Sequence, residues 1–162
     1  HLTAVIDRAL TLASRARINL IISGPPSTAK SSAAASVGID DDSPVEICPC
    51  HEDMLPDALV GHYVIEPSAS GHPSMRWHDG HVIRAWRAGS RLVLDEADRL
   101  PPSCRAALQP MLELSTAQRH GVTLQTGERV YPAAGFHCVA TTNCTPAEIA
   151  AKRGKAIAEI LE

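Results

Sequence analysis

Eight residues, Gly24-Pro25-Pro26-Ser27-Thr28-Ala29-Lys30-Ser31, place a cation and a hydroxyl at the far end of a turn built from small residues. Holding a polyphosphate takes closely spaced backbone N–H groups at a helix amino end, a cation for the outer phosphates and a hydroxyl for Mg2+. Pro25 and Pro26 have no N–H, so the donors must come from Ser27 through Ser31, with Lys30 as the cation and Ser31 on the metal. The two prolines would hold the loop open and stiff. The segment departs from GxxxxGK[ST] at Ala29, where the second glycine is expected. If the backbone there needs a positive φ, alanine costs about 1 kcal/mol and adds a methyl near the phosphates. Judged alone, the octapeptide also reads as a proline-rich turn that caps a helix.

About 65 residues downstream, Leu92-Val93-Leu94-Asp95-Glu96 is an apolar run that ends in two carboxylates. Ligands of open α/β sheets bind at the carboxyl ends of strands, which is where these acids fall. Asp95 would hold Mg2+, directly or through water, and Glu96 would orient and deprotonate an attacking water. Taken alone, such a pair is more often a helix N-cap, and its position after a phosphate-loop pattern reverses that preference. A third signal, Thr141-Thr142-Asn143, follows another apolar run and offers polar side chains to a water or a γ-phosphate, unless Thr142, Asn143 and Thr145 merely cap the next helix.

These groups need elements to carry them. Leu2, Val5, Ile6, Ala9, Leu10 and Ala13 recur at helical spacing and predict a helix over 2–16. Ile18 to Ile22 reads as a strand buried on both faces, and Lys30 to Val37 as an alanine-rich helix. Further strands are expected at Val45–Cys48, Leu92–Leu94 and Phe136–Ala140. Helices are expected from Asp53 to Val60, from an Asp79 cap to Arg87 with Gly89 closing it, from Pro101 to about Leu114 with a kink at Pro110, and from Pro146 to Leu161. Gly61 to Pro73 reads as an irregular insertion, and Val122–Leu124 with Arg129–Tyr131 as a β-hairpin. Strands alternating with helices predict an α/β layer fold with a parallel sheet.

The chain has 162 residues, one domain's worth at about 150 per domain. It is 44% hydrophobic and 20% charged with a mean hydropathy of −0.04, ordinary globular composition. Fifteen Lys and Arg against 18 Asp and Glu give a net charge of −3, so no broad cationic surface for nucleic acid is indicated, although a local basic patch is compatible with it. No apolar run nears the ~20 residues of a membrane span, and the amino-terminal stretch is broken by charges, so a cytoplasmic protein is expected. Five cysteines, an odd count, fit reduced thiols. Cys48-Pro49-Cys50-His51 with His62, His72, His78 and His81 raises a zinc-dependent interaction domain as an alternative, though the spacing matches no standard finger. Tyr63, Trp77 and Trp86 are too dispersed for base stacking and are expected to pack helices. Arg84, Arg87 and Arg91 read as a solvated helix edge rather than a subunit-facing cluster.

In this order the three signals resemble the AAA+ ATPases, and more closely their MoxR-like, dynein-related branch. Lys30 and Ser31 match Walker A, Asp95 and Glu96 match Walker B, and Asn143 matches sensor 1. Leu59 to Tyr63 and Arg76 to Gly80 are similar to that branch's helix-2 insert, and Val122 to Tyr131 resembles its pre-sensor-1 hairpin. The resemblance covers about residues 2 to 150. It implies a P-loop three-layer αβα sandwich with a mainly parallel sheet and β-hairpin insertions. It also implies Mg-dependent ATP hydrolysis in a ring, usually a hexamer, that remodels a protein client, sometimes one with a von Willebrand factor A domain. A nonhydrolysing nucleotide switch is the alternative that Ala29 motivates. The chain opens at His1 and stops at Glu162 inside an expected helix, so residues 1–162 read as the large subdomain trimmed before the helical lid. Arg153 is assigned no role.

Overall fold

The computed structural model of the chain describes residues 2–38, 44–67 and 72–148. A four-stranded sheet forms its middle layer, built from β1 (Leu20–Ser23), β2 (Val45–Pro49), β5 (Arg91–Asp95) and β8 (His137–Thr142). Their order is β1-β8-β5-β2 and every pairing is parallel, with Ile21 opposite Ala140, Val93 opposite Val139 and Ile47 opposite Val93. All strand carboxyl ends therefore point to one side of the molecule and all amino ends to the other.

Alternation along the strands divides the core in two. Val93, Val139 and Ile22 face Leu10 of α1 (Leu2–Ala16) and Ala34 of α2 (Lys30–Ser36). Leu92, Leu94, Cys48, Cys138 and Ala140 face the other way. They meet residues of α3 (Pro56–Val60), α4 (His81–Ala88), α5 (Pro102–Leu112) and α6 (Leu114–His120), among them Leu59, Trp86, Leu108 and Ala117. Two helical layers around a parallel sheet are the three-layer α/β sandwich expected from the sequence. Trp86 is fully buried with its ring edge-on to Phe136, centroids 6.1 Å apart.

Several expectations are corrected. β1 begins at Leu20, because Arg17 turns left-handed (φ 55) and the Ile18 N–H closes α1 on the Ala13 carbonyl, leaving Ile18 exposed. The stretch read as an irregular insertion is a ribbon, β3 (Gly61–Pro67) antiparallel to β4 (Pro73–Asp79). Tyr63 and Trp77 stack edge-on across it, 5.3 Å between centroids, so the pair orders the ribbon, while Trp77 also packs against the core that α3 and α4 help to build, as expected of it. On this face Ile65 and Met75 are exposed, while Glu66 pairs with Arg76 and His78 on the opposite face. Asp79 ends β4 and does not cap α4; the cap is Gly80, and the Asp79 carboxylate accepts from Trp77 Nε1 and Arg87 Nε, each at 2.7 Å. The helix does close on left-handed Gly89 (φ 63). α3 starts at Pro56, a proline at the helix's first turn, not at Asp53. α5 carries Pro110 inside it, stops at Leu112, and is followed by the separate helix α6. The expected hairpin is present as β6 (Val122–Thr123) and β7 (Arg129–Val130). Of the expected carboxyl-terminal helix, only the single turn α7 (Pro146–Glu148) lies among the described residues; the rest, with Arg153, falls outside them.

Candidate functional site

The loop from Gly24 to Ala29 joins the carboxyl end of β1 to the amino end of α2, and Lys30 and Ser31 are the first two residues of that helix. Gly24 leaves the sheet with its N–H on the Thr142 carbonyl at 3.3 Å. Thr28 Oγ1 donates to the Pro25 carbonyl at 2.8 Å, cinching the turn. Ser27 (φ 62) and Ala29 (φ 56, ψ 22) both adopt left-handed backbone, so the glycine-like conformation anticipated at Ala29 is present, carried by a residue with a Cβ.

Lys30 is 8% exposed, its ammonium inside the loop rather than in solvent. Nζ donates to the carbonyls of Gly24 (2.9 Å) and Pro25 (2.7 Å), and to Asn143 Oδ1 at 3.0 Å. Each of these acceptors is an oxygen that an incoming phosphate oxygen can replace. Ser31 Oγ donates to Asp95 Oδ1 at 2.5 Å across 64 residues of chain.

Asp95 is the last residue of β5, and Glu96 follows in left-handed backbone (φ 56, ψ 47) ahead of a single 3-10 turn, Ala97–Arg99. This bend carries the strained residue, as often found where a side chain must be aimed. Thr141, 1% exposed, ties the two acids together: its hydroxyl donates to Asp95 Oδ1 (2.6 Å) and accepts the Glu96 N–H (3.1 Å). Asn143 Nδ2 reaches Glu96 Oε1 at 3.4 Å, and Arg99 holds Glu96 Oε2 at 2.9 Å.

The loop from Pro26 to Ser32, with Asp95, Glu96, Thr141 and Asn143, thus lines one cleft of about 250 Å3 at the carboxyl end of the sheet. Pro26 through Ser31, Asp95, Glu96 and Asn143 meet there; Gly24 and Pro25 contribute carbonyls to Lys30 just behind it. The Ser31 hydroxyl and Asp95 carboxylate are hard oxygen donors facing each other, a set that suits Mg2+ with waters completing its shell. Of the capping alternatives, Thr145 does cap α7, exchanging bonds with Glu148, and Thr142 accepts the Cys144 N–H, whereas the Asn143 side chain turns into the cleft. In the sequence Thr141 stands out only as part of a polar tip, and the one local signal of Arg99 is its i,i+3 spacing from Glu96.

The zinc alternative finds no support in the geometry. Cys48 and Cys50 are buried, and the neighbouring Cys48 thiol together with burial pushes the Cys50 thiol far above its ordinary pKa. His81 lies on Glu46 and His78 on Glu66. Among the described residues no three His, Cys, Asp or Glu side chains are grouped to hold a metal. The three arginines also divide: Arg84 binds Glu46, and Arg87 bridges Asp79 and Glu128, but Arg91 is 2% exposed, which corrects its reading as part of a solvated edge. No helix among the described residues is long and apolar enough to cross a membrane.

The family model described as "AAA domain (dynein-related subfamily)" matches residues 19–158. Uncharacterized proteins of Staphylococcus aureus, from strains USA300 and NCTC 8325 / PS 47, are 27% identical over 125 residues, 77% of this chain and 46% of theirs. The crystal structure of a "putative ATPase" from Cytophaga hutchinsonii ATCC 33406 is similar with a TM-score of 0.55 at 23% identity, covering 86% of this chain and 38% of that one, and so shares its fold. The chain spans less than half the length of these relatives.

Proposed function

The chain belongs to the AAA domain family, dynein-related subfamily, whose domains are nucleotide-binding and of ATPase type, and on that premise we propose that it binds MgATP in the Lys30–Asp95 cleft and hydrolyses it to ADP and phosphate. The observation that carries this reading is the Ser31–Asp95 contact at 2.5 Å, which joins the amino end of α2 to the end of β5, with Lys30 and Glu96 meeting at Asn143 beside it.

In this reading the amides past Pro26 and the Lys30 ammonium take the phosphates, Lys30 exchanging the Gly24 and Pro25 carbonyls for phosphate oxygens. Ser31 and Asp95 hold Mg2+, which supplies charge neutralisation on the phosphate oxygens. Glu96, turned toward the cleft by its left-handed backbone and by Thr141, accepts a proton from the water that attacks the γ-phosphorus, and ADP leaves with the β–γ bridging oxygen. Asn143 orients that water and the γ-phosphate. We further propose that the chain serves as the large nucleotide-binding subdomain of a cytoplasmic, MoxR-like ring, hexameric and acting on a protein client, with a von Willebrand factor A domain protein as one candidate.

A second reading, a nucleotide switch that does not turn over, draws on the Glu96 carboxylate being engaged by Arg99 and Asn143. Equilibrium titration with ATP and single-turnover phosphate release separate the two. Lys30→Ala is expected to weaken ATP by about 100-fold or more, two charged hydrogen bonds' worth. Glu96→Gln is expected to keep the affinity and lose the turnover. Unchanged affinity in the lysine variant overturns the site; no release by the unsubstituted chain even when assembled into its ring favours the switch.

A further inference from the structure

The opposite end of the sheet holds a second polar cavity, of about 460 Å3. Arg91 opens β5 and His137 opens β8, so both stand at the amino ends of the strands that deliver Asp95 and Thr141 to the nucleotide cleft. Arg15, near the end of α1, and Arg17, just past it, line the same cavity, as do Gly38 and Gly135. No carboxylate is among its described lining residues.

Arg91 is the informative member. Its Nη1 donates to the carbonyls of Ala34 (2.8 Å) and Val37 (2.7 Å), closing the carboxyl end of α2, and its Nε donates to His137 Nε2 at 3.0 Å. Nη2 is buried and has no hydrogen-bond partner among the described residues. His137 Nδ1 lies 3.0 Å from the Gly135 carbonyl, so the ring accepts at Nε2, donates at Nδ1 and is neutral. Burial lowers the pKa of both side chains, as expected for cationic forms with no counterion among the described residues. A buried guanidinium without an anion is a costly arrangement. Arg15 and Arg17, both exposed, supply the forked donors that match the oxygens of a multiply charged oxyanion, and the buried Arg91 beneath them adds its charge to a locally positive field in a chain whose net charge is −3.

We propose that this cavity is an anion site for a phosphate-bearing small molecule, held by Arg15 and Arg17 at its mouth over the buried charge of Arg91, and distinct from the nucleotide cleft. Since Arg91 also closes the far end of the helix that begins with Lys30, an anion here sits at one end of α2 and the nucleotide loop at the other.

Equilibrium dialysis of the full chain against labelled inorganic phosphate at low ionic strength tests this, with Lys30→Ala used throughout to remove phosphate binding at the nucleotide loop. The Lys30→Ala chain is expected to retain one phosphate. Adding Arg15→Ser and Arg17→Ser, both exposed and so safe for folding, is expected to weaken it at least tenfold, the loss of charged hydrogen bonds, with the melting profile unchanged. No phosphate on the Lys30→Ala chain, or equal affinity with and without the two arginines, overturns the proposal. So does binding that emerges only after Asp40, Asp41 and Asp42, which lie in sequence between the lining residues Gly38 and Pro44, are changed to asparagine, because the chain's own carboxylates would then be the occupant.

Discussion

Ala29→Gly should make this protein more stable. Ala29 sits at φ 56, ψ 22 one residue before α2, where its Cβ crowds the following carbonyl. Left-handed backbone costs a residue with a Cβ about 1–2 kcal/mol, and glycine gives back about 0.4–1 kcal/mol through the extra freedom of the unfolded chain. The difference is a net gain of about 1 kcal/mol. For a chain of 162 residues that raises the melting temperature by about 2–4 °C, and it moves the urea midpoint upward without changing the slope. Nucleotide affinity is a separate readout: strain present with and without ligand cancels from it, so any tightening in a fluorescent-nucleotide titration reports the methyl's crowding of the phosphates alone. Destabilisation by about 1 kcal/mol, the ordinary cost of glycine in a right-handed helix, would refute the reasoning, because Ala29 would then belong to α2 itself.

Two further outcomes follow from the hydrogen bonding. Thr141→Val removes the hydroxyl that donates to Asp95 and accepts from the Glu96 N–H, and should cost about 1–3 kcal/mol in urea unfolding while Thr141→Ser restores most of it; equal stability of the valine variant would show the hydroxyl to be dispensable. His137 is held neutral, its pKa lowered first by burial and then by Arg91 and Arg17, against the opposing bond to the Gly135 carbonyl. The unfolded chain takes up that proton more readily, so the histidine's contribution is complete above about pH 6.5 and is lost as pH falls from there toward the folded-state pKa. Unfolding measured at pH 7.5 and 5.5 should show a smaller loss in His137→Gln than in the unsubstituted chain, and an identical loss in both would be contrary to this account.

What the sequence made legible was whatever depends on short-range signals. The run Leu92–Leu94 announces a strand because both of its faces are buried, and the small-residue turn before Lys30 announces a loop because of what it lacks in bulk. The site residues were readable for the same reason: each sits at or within three residues of an element's end, where the residue types change abruptly. The ribbon was hidden although Tyr63, Ile65, Met75 and Trp77 alternate as a strand should, since prolines and serines at its tip suggested irregular chain and the pairing of the two arms is a long-range fact. The role of Arg91 was hidden for a related reason. One charged residue before an apolar run looks like solvated surface, and only the arrival of α2's carbonyls and of His137, 46 residues away, makes it interior.

Among the described residues the β3–β4 ribbon pairs only with itself, so the outer backbone edge of each strand carries N–H and C=O groups that no other described strand satisfies. With Ile65 69% and Met75 68% exposed on one face, it has the makings of an adhesive strip between chains. The Glu66 and Arg76 charges on its reverse side work against such self-association. Added salt, by screening that pair as well as the overall charge of −3, should therefore make concentrated solutions less rather than more forgiving.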